Sequence, residues 1–207
     1  MPQNLATYIA QIVNTSTLAY NLLGKQRDML TSLLHGSKYT QSYLGNIFVA
    51  ANPSGVTTSA GLATTYVGLC LSNPAASPVN LAIRRVSGAF IVAPATVTGF
   101  NLITGWSAAG VVTHTTPLTP FAAKIGLGGA TPVVPNGLVD SAATIVGTPV
   151  YTTPLSETST ATTLPFFTVD LEGAIILTPG SYAAIGTTIA GPASGFQGAF
   201  EWEEIAP

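Results

Sequence analysis

The chain has 207 residues, of which 47% are hydrophobic and only 7% are charged, and its formal net charge is −2. An average soluble domain has roughly 25% charged residues, and six Lys and Arg residues cannot form an extended surface for nucleic-acid phosphates. Apolar runs are short and interrupted by Gly, Pro, Thr and Ser, whereas a membrane-spanning helix needs about 20 consecutive apolar residues. From these two observations we expect neither nucleic-acid binding nor membrane insertion.

The first predicted element is a helix over residues 4–34, because apolar residues recur there at heptad spacing. The polar cluster Asn14–Thr17 and Gly24 weaken this pattern. We predict that the helix forms an oligomerisation or docking interface, and the alternative is an amphipathic helix folded back on its own sheet. Residues 1–14 lack a basic region and a cleavage site, so we expect no signal peptide. The predicted interface residues are Leu5, Ile9, Ile12, Leu23, Leu30 and Leu33.

From Tyr39 onward, short runs rich in Val, Ile, Thr, Tyr and Phe alternate with Gly, Pro, Asn and Ser. This pattern predicts a mainly β protein: an antiparallel, jelly-roll-like β-sandwich in residues 39–207, preceded by an α-helical segment in residues 1–38. The predicted strands are Leu44–Ala51, Ala63–Leu71, Val79–Val86, Ala89–Ala93, Thr96–Ile103, Val111–Thr115, Ala122–Leu127, Thr144–Tyr151, Phe167–Leu177, Tyr182–Thr187 and Phe196–Ile205.

The last strand has the clearest alternation in the chain. Its apolar face carries Phe196, Gly198, Phe200 and Trp202, while acidic residues occupy the other face. Upstream, Thr178–Ser181 suits a type II turn, since Pro179 and Gly180 occupy its two central positions. We therefore predict that the last three strands form an antiparallel meander that needs a second layer over its aromatic face.

Acidic residues cluster on two of these strands, and the candidate patch consists of Asp170, Glu172, Glu201 and Glu203. If the strands pair, the patch shares one face, and three interpretations remain open: a solvated surface, a subunit contact or a calcium site. A hydrolase that uses a pair of these carboxylates is a further hypothesis, and it would need both groups to face one cleft. Alternation along a strand predicts that one guanidinium of the Arg84–Arg85 pair points outward and the other points inward or toward a neighbour.

The sequence offers little support for nucleophilic catalysis. Only His35 and His114 could act as a base, no Gly-x-Ser-x-Gly motif is present, and His114 is interpreted as a hydrogen-bonded residue at a strand end. The single cysteine, Cys70, is predicted to be a buried apolar residue. We expect no enzymatic activity, no cofactor and no bound metal.

Five segments resemble a family of small, mostly uncharacterised virion proteins of tailed bacteriophages. They are residues 66–81, His114–Leu118, Val169–Gly173, Pro179–Gly186 and Gly198–Glu204. The resemblance implies an all-β, jelly-roll-like module that is made in the host bacterial cytoplasm and assembles on the outside of a phage head or tail.

The expected function is therefore that of a virion structural protein on the particle exterior, either a capsid decoration protein or a fibre subunit. Its partners would be other virion proteins and further copies of itself, with a homotrimer favoured and a dimer as the alternative. A second hypothesis is a receptor- or glycan-binding adhesin of a tail fibre, in which Trp106 or Tyr151 would stack on a host surface glycan.

Overall fold

The computed structural model of the chain describes residues 22–23, 29–30, 37–59, 65–96, 98–106, 112–124, 134–146, 150–157, 166–191 and 193–206. The chain divides into two compact units, Met1–Tyr39 and Thr40–Pro207. Within the described residues, no helix combines the length and the apolar character that crossing a bilayer would require.

The first unit contains a short pair of antiparallel strands, β1 (Leu22–Leu23) and β2 (Met29–Leu30). These four residues are extended where the heptad pattern predicted a helix. Gly24, which directly follows β1, disfavours a continuous helix by about 1 kcal/mol relative to Ala. The predicted interface residues Leu23 and Leu30 thus lie on paired strands. Leu5, Ile9, Ile12 and Leu33 lie outside the described residues.

The second unit consists mainly of strands. Helix α1 (Ser37–Leu44) runs from the end of the first unit into the second, and strands follow it. They are β3 (Ile47–Ala51), β4 (Thr65–Ser72), β5 (Asn80–Phe90), β6 (Gly99–Trp106), β7 (Val112–Thr113), β8 (Pro117–Leu118), β9 (Phe121–Ala122), β10 (Leu138–Val146), β11 (Val150–Glu157), β12 (Phe166–Leu177), β13 (Ser181–Thr187) and β14 (Phe196–Ile205).

These strands form two antiparallel sheets. The five-stranded sheet has the order β12-β5-β14-β3-β9, and the seven-stranded sheet has the order β11-β6-β13-β4-β10-β7, with β8 also paired to β10. Eight of the strands have the connectivity of a jelly roll: β3-β14-β5-β12 form one sheet and β4-β13-β6-β11 form the other. The predicted jelly-roll-like sandwich is therefore confirmed.

Residues 112–146 are an insertion between two strands of this jelly roll. The insertion supplies β10, which adds to the free edge of β4 with Asp140 opposite Cys70 and Leu138 opposite Ser72. Its short strands β7 and β8 pair with β10, and β9 pairs with β3 of the other sheet. The insertion thus extends both sheets at the same side of the jelly roll.

The core lies between the two sheets and is rich in aromatic side chains. All four residues of the predicted apolar face of β14 are buried, and the Phe90, Phe100 and Phe196 rings pack with centroids 4.6–6.3 Å apart. The fully buried large side chains include Trp202, Phe48, Phe90, Phe100, Phe196, Phe200, Ile47, Leu69, Leu71, Leu81 and Ile83.

The predicted C-terminal meander is wrong, although its turn is confirmed. Ser181 N–H donates to Thr178 C=O at 2.9 Å, and Gly180 has a φ of 90°, as a type II turn requires. However, the turn joins β12 of the five-stranded sheet to β13 of the seven-stranded sheet, and β14 returns to the first sheet. Alternation fixes which side chains share a face, but it does not fix which sheet a strand joins.

Candidate functional site

The side of the five-stranded sheet that faces away from the core is called here the outer face. Inward residues such as Val86 and Phe200 alternate along β5 and β14 with smaller outward residues. Two cross-strand rows of the outer face carry no charge, because the paired positions are Phe166–Ala89–Gln197 and Thr168–Ser87–Ala199–Ala51. Much of this surface is therefore neutral and made of small side chains.

A bulge at Arg84 interrupts the sheet. On β14, Glu201 lies opposite Arg85 and the next residue, Trp202, lies opposite Ile83, so Arg84 is an extra residue in β5. The bulge lets both Arg84 and Arg85 reach acidic residues of the outer face, as the ion pairs below show. The sequence predicted one outward guanidinium and one that points inward or toward a neighbour. Arg85 is indeed 41% exposed, whereas Arg84 is 11% exposed and contacts Glu203 of the adjacent strand.

Arg85 lies between two members of the predicted acidic patch. Because β5 runs between β12 and β14, Asp170 and Glu201 lie on either side of it. Arg85 Nε donates to Asp170 Oδ1 at 2.6 Å, and Arg85 Nη1 lies 4.0 Å from Glu201 Oε2. The hydrogen bond and charge of Asp170, followed by the charge of Glu201, raise the pKa of Arg85. The row thus holds one positive and two negative charges and is partly solvent-exposed, which limits its contribution to stability.

Arg84 and Glu203 form a second ion pair in a different environment. Arg84 Nη1 donates to Glu203 Oε2 at 2.8 Å, and the two side chains are only 11% and 10% exposed. Arg84 Nε is buried and has no hydrogen-bond partner in the part of the chain that the structure describes. Glu203 is therefore a buried counter-ion and does not belong to an open acidic surface.

The remaining member of the patch, Glu172, is separate from the others. It lies with Gly173 in an irregular part of β12, where residues 171–174 have no paired partner on β5. Both residues have a positive φ, 50° for Glu172 and 86° for Gly173. Among the residues that the structure describes, no group of three or more His, Cys, Asp or Glu side chains could hold a metal ion. The four acids thus lie in three places: Asp170 and Glu201 beside Arg85, Glu203 in a buried pair with Arg84, and Glu172 in the exposed irregular part of β12.

Large apolar side chains are exposed at both edges of the outer face. Phe166 and Ile176 project outward from β12, and Phe121 lies at the opposite edge on β9, beside Val49. Phe166 is 77% exposed and Phe121 is 70% exposed. Exposed apolar residues that frame a neutral sheet surface are typical of a contact between proteins. The outer face is therefore the candidate functional surface.

His114 follows β7, and its Nε2 lies 2.9 Å from Ser72 Oγ, which matches its interpretation as a hydrogen-bonded residue near a strand end. Its second neighbour, Asp140, is buried. Sequence reasoning missed both partners, because Ser72 is 42 residues away and only the pairing of β4 with β10 brings the three together. Cys70 is buried as predicted, and burial raises the pKa of its thiol.

Comparison with known proteins identifies no relative: the chain matches no protein-family model, no curated protein and no solved structure.

Proposed function

We propose that this chain is a non-enzymatic structural subunit of a bacteriophage virion, either a capsid decoration protein or a fibre subunit. It would assemble with copies of itself, as a trimer or a dimer, and with other proteins of the particle. The N-terminal segment and the outer face of the five-stranded sheet would both take part in assembly.

The main support for this proposal comes from the outer face of the five-stranded sheet. A monomer with so few charges has little electrostatic repulsion to prevent self-association. On this face, Arg85 offsets one of the two negative charges of Asp170 and Glu201, so this row keeps a net charge of −1. What remains for a partner is a surface of mostly small residues framed by Phe166, Ile176 and Phe121. Covering such a surface requires the partner to compensate few charges.

The jelly-roll topology gives further support. Jelly rolls recur in viral capsid domains and in lectins. The fold alone does not define a function, because the same architecture carries many unrelated ones. Here the jelly roll supports the proposal because it is the fold expected for the phage virion family that segments such as Val169–Gly173 and Gly198–Glu204 resemble.

The proposal is tested by comparing the assembly of three purified full-length proteins by light scattering. We expect the wild type to be an oligomer and Phe166→Ser to have a lower mass at the same concentration. Val134→Ser is the control, because Val134 is 80% exposed but precedes β10 of the other sheet. Exposed positions tolerate such changes to within about 0.5 kcal/mol. A monomeric wild type, or equal masses for all three proteins, would contradict the assembly role.

Trp106 favours a second candidate function, that of a glycan-binding adhesin. It ends β6, opposite Ser181, and its side chain is 67% exposed. An exposed indole beside polar groups can stack on a sugar ring. Saturable binding of the wild type to a glycan array, lost in Trp106→Ala, would support the adhesin. Absence of binding at all array positions would favour the purely structural role.

A further inference from the structure

Three side chains in the seven-stranded sheet and its insertion form a Ser-His-Asp arrangement. Ser72 is the last residue of β4, His114 follows β7, and Asp140 lies in β10. Ser72 Oγ lies 2.9 Å from His114 Nε2, and His114 Nδ1 lies 3.7 Å from Asp140 Oδ2. A hydroxyl beside a base that is itself oriented by a buried acid is the arrangement that activates a serine nucleophile.

The Asp140 carboxylate is fully buried and held in one orientation. Oδ1 accepts hydrogen bonds from the Thr116 hydroxyl at 2.9 Å and from Ala142 N–H at 2.7 Å. Oδ2 accepts from Thr116 N–H at 2.8 Å and also faces His114. These three donors fix the position of the carboxylate, so Asp140 can orient the imidazole without moving itself.

The surroundings of His114 determine which ring nitrogen carries the proton. Nδ1 is buried, makes no hydrogen bond to any residue that the structure describes and faces the Asp140 carboxylate. A lone pair on Nδ1 would be repelled by that carboxylate, whereas an N–H is attracted to it, so the proton belongs on Nδ1. Nε2 then accepts the hydrogen bond from Ser72 Oγ–H. Burial lowers the pKa of His114 below its ordinary value, and Asp140 only partly opposes this, so the ring is a neutral base at pH 7.

Two neighbouring cavities give a small molecule access to this arrangement. Ser72, His114, Ser181 and Tyr182 line a cavity of about 70 Å³. His114 also lines a second cavity of about 180 Å³, whose other walls are apolar. These walls are Pro117, Leu118, Pro120, Val134, Pro135, Gly137, Leu138 and Val139. A polar reacting group at Ser72 and a short apolar chain beside His114 match the two cavities.

Because of the backbone hydrogen bonds around Ser72, this site can accept an acyl group onto the serine but hydrolyses the resulting ester poorly. Asn73 N–H donates to Ser181 C=O at 2.8 Å, and Gly180 N–H donates to Asn73 C=O at 2.8 Å. Neither N–H can therefore stabilise an oxyanion, and the loss of one such donor costs about 10²–10³ in rate. Without this stabilisation, acylation needs a substrate with a good leaving group. Hydrolysis of the resulting serine ester is slower still, because an alkoxide is a poor leaving group.

We propose that Ser72 is an activated nucleophile that accepts and retains a short apolar acyl group from an activated ester. His114 is the general base and Asp140 is a positioning residue. Ser72 Oγ forms a bond to the carbonyl carbon as its proton passes to His114 Nε2. The bond between the carbonyl carbon and the leaving oxygen then breaks, and the leaving group departs with the proton from Nε2. The products are acylated Ser72, the free alcohol or phenol, and neutral His114.

The test uses the full chain and p-nitrophenyl butyrate. We expect release of one equivalent of p-nitrophenol per chain and a mass increase of one butyryl group, located on the peptide containing Ser72. Ser72→Ala should abolish both signals, and His114→Gln should slow them by about 10²-fold or more. Ser77→Ala is the matched control, because Ser77 lies in the following loop and its hydroxyl contacts Val79. It should react like the wild type.

The pH dependence of the labelling rate shows whether His114 activates Ser72 or only supports its position. Among the described residues, the titratable side chains around His114 are Asp140, Tyr182 and Cys70, which lies opposite Asp140. Burial raises the pKa of both Cys70 and Tyr182, so they are neutral at pH 7 and the charge that His114 faces is that of Asp140. The labelling rate should rise as His114 loses its proton, with a midpoint below about 6.5. Asp140→Asn should reduce the plateau rate, since an amide no longer favours the proton on Nδ1.

Peptide mapping of the wild type tests the assignment even if a variant fails to fold. Three results would overturn the proposal: no labelling, labelling at residues other than Ser72, or an unchanged rate in His114→Gln. Sustained p-nitrophenol release without an acylated chain would also overturn it, because Ser72 would not then retain the acyl group.

Discussion

Arg84 and Arg85 are neighbours in the sequence, yet their ion pairs lie in different environments and should contribute differently to stability. Arg85 pairs with Asp170 where the two side chains are 41% and 47% exposed, so water screens the interaction. Arg84 pairs with Glu203 where the two side chains are only 11% and 10% exposed, so water is mostly excluded. Removing one partner of a buried pair leaves an uncompensated charge, which is costly, whereas an exposed pair contributes little.

Two single substitutions test this difference. Glu203→Gln keeps the side-chain shape but removes the counter-ion of Arg84, and we expect the free energy of unfolding to fall by about 3–5 kcal/mol. Asp170→Asn makes the same chemical change at the exposed pair, and we expect a loss of at most about 1 kcal/mol. Urea denaturation of both variants at pH 7 measures the two values. Equal losses would mean that the Arg84 pair is as well solvated as the Arg85 pair.

At the scale of elements, two facing glycines shape the interior of the five-stranded sheet. Gly88 of β5 lies opposite Gly198 of β14, and aromatic rings occupy the space above them. A Cβ added at Gly88 would lie 2.9 Å from atoms of both the Phe167 and Phe196 rings. The glycines therefore provide room for rings from neighbouring positions, which explains why an aromatic-rich core tolerates residues of low strand propensity.

Gly88→Ala should consequently destabilise the protein even though alanine costs less backbone entropy than glycine. The added methyl group overpacks the aromatic cluster, and we expect a loss of about 1–3 kcal/mol. Ser87→Ala, at the adjacent outward position, is the matched control and should change stability by no more than about 0.5 kcal/mol. Thermal unfolding followed by near-UV circular dichroism reports both stability and ring packing. A stabilised Gly88→Ala variant would show that the rings have room to move aside.

The elements that the sequence predicted well are those defined by local chemistry. The alternation in Phe196–Ile205 predicted the buried aromatic face, and the Pro-Gly pair predicted the turn before β13. The sequence could not assign β12, β13 and β14 to their sheets, because that assignment depends on pairing between distant strands. The bulge at Arg84 was missed for the same reason, since a bulge exists only relative to a partner strand.

At the scale of the whole molecule, the candidate sites depend on the same distant pairings. The sequence identified the acidic residues, but it could not show that Arg84 and Arg85 form ion pairs with them. Those pairs depend on β5 lying between β12 and β14. Ser72, His114 and Asp140 meet only because the insertion adds β10 to the edge of β4. Composition predicted a protein surface with few charges, but it could not predict that several of those charges gather in ion pairs on the five-stranded sheet.

The division of the chain into two units leads to the last prediction. Among the described residues, the inter-sheet core runs from Phe48 to Trp202, and its members belong to the second unit. Removal of residues 1–39 should therefore leave a β-sandwich that unfolds cooperatively, within a few degrees of the full chain. If the N-terminal segment acts in assembly, the truncated protein should also have a lower oligomer mass by light scattering. Unchanged mass would refute the assembly role of that segment, and loss of cooperative unfolding would show that the sandwich needs the first unit to fold.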